Sequence, residues 1–157
     1  MINKWFMHWM KHSMLISKMS TCPRGKVGAF IIDNSNNPIS AGFNGPPRKA
    51  PGLLCAVDHC ARDSNNIKSG SSIEIGCHHA EMNAIYNAAE NGVSLKDSTI
   101  YVIGLPICHD CAKGLIQAGI SRVVTPEQEI PENWQESISS SISMFKEAGV
   151  IWDWIKL

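Results

Sequence analysis

Four residues carry the strongest chemical signal in this sequence: His79 and Glu81 in "GCHHAEMNAI", and Cys108 and Cys111 in "PICHDCAK". Two cysteines at C-x-x-C spacing reach one zinc ion, and a histidine from a neighbouring helix supplies a third ligand. Three protein ligands leave the fourth tetrahedral position to water, the layout of a catalytic rather than a closed structural zinc. A carboxylate held near that water without ligating the metal is a proton shuttle. The expected roles are therefore His79, Cys108 and Cys111 as ligands and Glu81 as general acid/base. Residues i and i+2 of a regular helix point to opposite sides. His79 and Glu81 converge only if His79 stands at the helix entrance, where its backbone is less constrained. Read singly, H-x-E is a weak motif, and a lone C-x-x-C is as readily a redox pair or half of a structural site. In this order, each ahead of a helical run, they reinforce one another.

Those side chains need a scaffold, and the pattern around them supplies one. Residues 3–19 place Trp5, Phe6, Trp9, Met10, Leu15 and Ile16 at near-helical spacing. "KVGAFIID" (26–33) and "PISAGFN" (38–44) are rich in strand formers and separated by the turn signal "NSNN", which predicts a β-hairpin. Helices are predicted over 79–91, with Gly92 as the residue past its end, over 109–119 and over 133–148; strands over 98–104, 121–125 and 149–155. Strands alternating with helices after an opening hairpin imply an α/β fold, a mixed sheet with helices on both faces. Helix N-termini also favour the thiolate form of Cys108 and Cys111 through the helix dipole and free amides. The chain reads as a single domain over 1–157. Residues 45–77 show no sustained period, and a stretch of that length in a compact domain suggests a functional or metal-pinned insertion.

Composition narrows the partners. With 157 residues, 44% apolar and 18% charged, the chain can bury a real core. Its 14 basic and 14 acidic residues balance to zero, which weighs against a nucleic-acid polymer as partner. No apolar run is long enough to span a bilayer, and lysines interrupt the N-terminal apolar stretch where a signal peptide would be continuous. A cytoplasmic location is expected. Six cysteines, without an export signal and among His and Asp, point to metal ligands or catalytic groups rather than disulfides. Setting aside Cys108 and Cys111 leaves Cys22, Cys55, Cys60 and Cys77, a set able to form a closed, structural second zinc site. His78 in place of Cys60, or four independent thiols, are the alternatives.

The H-x-E and C-x-x-C pair is the signature of the zinc deaminases, with Pro106 one residue earlier than in that pattern. Together with "CPRGKVGAFIID", "SAGFNGPPR", "HAEMNAI", "CHDCAK" and "LIQAGISRVV", the chain resembles the deoxycytidylate (dCMP) deaminases from about residue 5 to residue 125. The resemblance implies a cytidine-deaminase-like three-layer sandwich around a mixed five-stranded sheet, and hydrolysis of dCMP to dUMP and ammonia, which supplies dUMP for thymidylate synthesis. It also implies a homo-oligomer, commonly a hexamer, activated by dCTP and inhibited by dTTP near "GFNG". Asn44 matches the family asparagine that orients the substrate sugar. Arg24 and Lys26, in the "R-x-x-V-G-A" region, are candidates for the substrate phosphate, with Arg48 a weaker one. Many relatives carry arginine where this chain has Glu90, so altered phosphate contacts are expected at the regulatory site. His109 is expected at the site mouth. His8, His12 and His59 have no partner in the sequence and read as surface or helix-face residues. The five tryptophans read as core or subunit-contact anchors.

Three rival readings share part of the signal. A tRNA adenosine deaminase has H-A-E and the cysteine pair, but such enzymes carry net positive charge and no cysteine-rich insertion. A free-cytidine deaminase usually has cysteine where His79 stands. A zinc-binding interaction module would have no use for Glu81.

Overall fold

The computed structural model describes residues 4–49, 55–56, 58–71 and 75–157, with backbone alone for 55 and 56. The main elements are α1 (Lys4–Ser17), β1 (Gly28–Ile32), β2 (Pro38–Phe43), α3 (Ala80–Glu90), β5 (Thr99–Ile103), α4 (His109–Gln117), β6 (Arg122–Pro126), α5 (Gln135–Ala148) and β7 (Ile151–Ile155). Residues between β2 and α3 add a two-stranded ribbon, β3 (Cys55–Ala56) with β4 (His59–Cys60), and one helical turn, α2 (Ala61–Ser64). Residues 45–77, which show no sustained period in the sequence, thus hold short regular elements. Elements of two to four residues are too short to print a period in the sequence.

Five strands form one sheet in the order β2-β1-β5-β6-β7. β1 runs antiparallel to β2 and β5, whereas β5–β6 and β6–β7 are parallel. Strand alternation divides the core into two faces. Ala29, Ile31, Ile100, Val102 and Val123 point to the side covered by α3, α4 and α5. Ile32, Tyr101 and Val124 point to the other side, against Trp9 and Met10 of α1. The result is a three-layer α/β sandwich.

Two close approaches set the helices that matter for the site. On α3 the buried face is Ala80, Ala84 and Ala88, residues four apart and therefore stacked along one side. Their small side chains let α3 lie directly on β2, where an added Cβ on Gly42 would come within 2.3 Å of the Ala80 carbonyl oxygen and 2.4 Å of the Ala84 nitrogen. Both obstacles are backbone. Gly42→Ala is therefore expected to lower stability by about 1–3 kcal/mol, the usual range for an overpacked interior. It should also weaken metal retention, because Ala80 follows His79 directly. Urea unfolding and metal analysis check both effects.

The outward edge of β2 is closed by α3 itself. Asn83 Nδ2 donates to the Phe43 carbonyl (2.7 Å) and Asn87 Nδ2 to that of Ala41 (2.6 Å). These carbonyls face away from β1 and would otherwise invite another strand. At its far end α3 stops in a Schellman turn. Gly92 adopts a φ of 65°, its N–H bonds Ala89 O (3.1 Å), and the Val93 N–H bonds Ala88 O (2.9 Å).

Candidate active site

His79 is the N-cap of α3, with extended backbone at φ −71° and ψ 155°. A paired backbone bridge locks the residue before it: Gly45 N–H bonds His78 O (3.2 Å) and His78 N–H bonds Gly45 O (2.9 Å). The end of the hairpin thus fixes where α3 begins, and frees His79 from helical geometry while Glu81 lies inside the first turn. Cys108 is the N-cap of α4, and its sulfur accepts the Cys111 N–H at 3.5 Å. Both helices begin at the same end of the sheet. As a result His79 Nδ1 lies 3.3 Å from Cys108 Sγ and 3.4 Å from Cys111 Sγ, and the three donor atoms lie within 4.8 Å of one another.

The donor set fits zinc. One imidazole nitrogen and two sulfurs suit that ion, and tetrahedral ligation with ordinary bond lengths separates nitrogen from sulfur by about 3.5 Å. Among the described residues no other group of three such donors is this close. Cys108 is held as thiolate, pushed down to about 4 by the hydrogen bond from the Cys111 thiol, with His79 and the Cys111 backbone N–H helping. Cys111 moves the opposite way, because it donates to Cys108 and is buried beside Glu81. Glu81 is 3% exposed, and burial pushes its carboxyl up to about 7, against the pull of His79. A dication at the three donors would draw it back down.

His79 and Glu81 line a cleft of about 510 Å³, within the usual range of small-molecule sites, about 300–1,000 Å³. Arg24 and Lys26 line it, as does Arg62, a third cation that the sequence did not single out. Arg24 is also tied to the insertion, through Asp63 (3.6 Å) and the Ile67 carbonyl (3.2 Å). Asn44 lines the cleft too, while its amide braces the preceding loop. Its Oδ1 accepts from Val27 N–H (2.8 Å) and its Nδ2 donates to Gly25 O (2.9 Å).

Trp134 packs partly buried against the core, as an anchor should, and also faces the site. It stands in the wall of the cleft, with its indole N–H on Ser69 Oγ (3.1 Å), and Asn133 Nδ2 bonds the Ser69 carbonyl (2.8 Å). No local pattern announces a contact between residues 65 positions apart. Trp9, by contrast, is buried against Phe30. His109 borders a small adjoining cavity, with Nδ1 on Ser137 Oγ (2.8 Å) and Nε2 near Asp110 (3.3 Å).

Cys22, Cys60 and Cys77 line the same cleft, yet they do not converge as the His79 group does. The Cys55 side chain lies outside the described residues. His78 turns its ring edge-on to Tyr86 at 5.3 Å and joins no such group.

A three-donor metal site with a buried carboxylate, set at two helix N-termini above a mixed sheet, defines a centre for metal-assisted hydrolysis. Residues 3–127 match the family described as the cytidine and deoxycytidylate deaminase zinc-binding region. A protein described as an uncharacterized deaminase in the luxG 3' region of Aliivibrio fischeri is 35% identical over 159 residues, covering 100% of this chain and 97% of that protein. The deoxycytidylate deaminase of Mus musculus is 31% identical over 147 residues, 94% of this chain and 77% of the relative. Among solved structures, the dCMP deaminase of cyanophage S-TIM5 in complex with dCMP and dUMP superposes with a TM-score of 0.73 at 26% identity, over 99% of both chains. The chain belongs to the cytidine and deoxycytidylate deaminase family, and it is a hydrolytic deaminase with the fold of the dCMP enzymes.

Proposed function

We propose that the substrate is dCMP, converted to dUMP and ammonia. The observation that carries this reading is Glu81, buried beside the His79, Cys108 and Cys111 donors in a cleft whose walls also bear three cations. The complex of the cyanophage relative with dCMP and dUMP supports the choice of nucleotide.

His79, Cys108 and Cys111 would hold the zinc, which when bound supplies Lewis acidity and makes water nucleophilic at neutral pH. Glu81 takes the proton of the attacking water and delivers it to N3 of the pyrimidine as C4 is attacked. Again a carboxylate, Glu81 takes the remaining proton of the hydroxyl on C4 and gives it to the amino group, so that the C4–N bond breaks, the C4 carbonyl forms and ammonia leaves. Arg24, Lys26 and Arg62 hold the 5′-phosphate, and Asn44 meets the sugar. Trp134 closes the apolar side of the cleft and keeps bulk water out.

Loss of absorbance with dCMP, dCTP, cytidine and deoxycytidine tested separately decides the substrate. The expected kcat/KM for dCMP exceeds that for deoxycytidine by about 10²-fold, as follows from roughly two charge-assisted phosphate contacts. Equal turnover of the two would remove the phosphate site from the reading, and deamination of tRNA adenosine alone would replace it.

The resemblance extends the proposal to a cytoplasmic homohexamer controlled by dCTP and dTTP. Among the described residues no helix is long and apolar enough to cross a membrane. At the regulatory stretch, Arg48 of "GFNGPPR" pairs with Glu90 and donates to Asn87 Oδ1, both on α3. Glu90 thus competes with a nucleotide phosphate for Arg48. Glu90→Gln is expected to lower the half-effective dCTP concentration about two- to five-fold, the scale of an exposed ion pair. Activity against dCMP measured with each triphosphate tests this, and no response in either form would mean an unregulated enzyme.

A structural zinc on Cys22, Cys55, Cys60 and Cys77 is the remaining part. It is supported by three of these lining one cleft and by the register that sets Cys55 opposite Cys60 in the ribbon.

A further inference from the structure

His8 and His12 take no part in the hydrolytic centre. They sit on α1, which covers the sheet face opposite the one bearing the catalytic groups. Spaced four residues apart, they lie one turn above another on one side of the helix, and their Nε2 atoms are 3.2 Å apart. We propose that this pair is a further, peripheral site for a divalent transition-metal ion, held by the two Nε2 atoms.

Geometry supports the assignment. Two imidazole nitrogens at about 2.0–2.1 Å from one ion, with an angle of about 90–110° at the metal, stand about 2.9–3.4 Å apart. The observed separation falls within that interval. The rings are also held where they are. His8 lies edge-on to Trp9 at 4.6 Å and to Trp5 at 6.0 Å, and His12 stacks on Phe30 at 5.1 Å with planes 20° apart. Rings packed in this way lose little freedom on binding, which removes one of the main costs of a surface site. A histidine pair at this spacing on a helix is the same two-ligand arrangement that holds zinc in H-x-x-x-H metal sites.

Chemistry selects the class of ion. The sequence of α1, KWFMHWMKHSMLIS, contains no carboxylate. Calcium and magnesium require oxygen ligands, whereas imidazole suits copper, nickel and zinc, with copper bound most tightly. Two protein ligands leave the other positions to water or to a donor from another molecule. The site therefore binds more weakly than the three-donor catalytic one.

The test uses enzyme already loaded with zinc, so that the thiol sites are filled, titrated with nickel chloride and then with copper chloride by calorimetry. The expected result is about one further ion per chain, with copper tighter than nickel, and partial quenching of tryptophan fluorescence by copper through Trp5 and Trp9. His8→Gln and His12→Gln should each weaken that binding at least about tenfold, equivalent to ~1.4 kcal/mol, and abolish the quenching. Their hydrolytic activity and melting temperature should stay as in the parent. Zinc-loaded protein that takes up no further ion at millimolar metal, or variants that bind as the parent does, would overturn the site.

Discussion

Glu81→Gln should leave the fold and the bound zinc intact and cut turnover by about 10²–10⁴-fold or more, the contribution of general acid–base catalysis. Glutamine keeps the volume of a side chain that is 3% exposed. It keeps an oxygen able to accept hydrogen bonds and loses the ability to carry a proton from water to base. With the metal stripped, stability at neutral pH should be equal or slightly higher, because burial disfavours the charged carboxylate at this position. A single carboxyl serving both proton transfers predicts that kcat falls with little change in KM. Metal content, far-UV circular dichroism and steady-state kinetics test the three parts together. Near-normal kcat in zinc-loaded variant would remove Glu81 from the mechanism.

Loss of the metal is expected to have the larger structural consequence. Stripping the protein with a strong chelator should abolish turnover, and restoring zinc should recover it. Cys111→Ser should retain no catalytic ion and show no measurable activity, because Cys111 is 1% exposed and cannot be replaced by an outside donor. Metal analysis of the parent should give about two zinc ions per chain, if the remaining cysteines hold their own. Cys55→Ser should then lose one ion and unfold at lower temperature while the His79, Cys108 and Cys111 site stays loaded. A single zinc in fully active parent protein, unchanged by Cys55→Ser, would discard the second ion and leave the catalytic one standing.

What the sequence determined by itself is the part of the protein written in short spacings. Cys108 and Cys111 belong to one helix start, and His79 and Glu81 to another. Within such a segment the backbone permits few arrangements, so residue type and spacing already specify the chemistry. The alternation Ala29–Ile31 against Phe30–Ile32 likewise marks a two-faced strand, and the Ala80, Ala84, Ala88 stripe marks a helix that lies close on something. Tertiary structure alone decided what meets across long separations. It brought His79 within 3.4 Å of both cysteines, placed Arg62 and Trp134 in the cleft, and paired Arg48 with Glu90. The physical reason is common to all of these. A contact between distant residues depends on where whole elements pack, and that is set by burial summed over the entire core, which no local pattern contains.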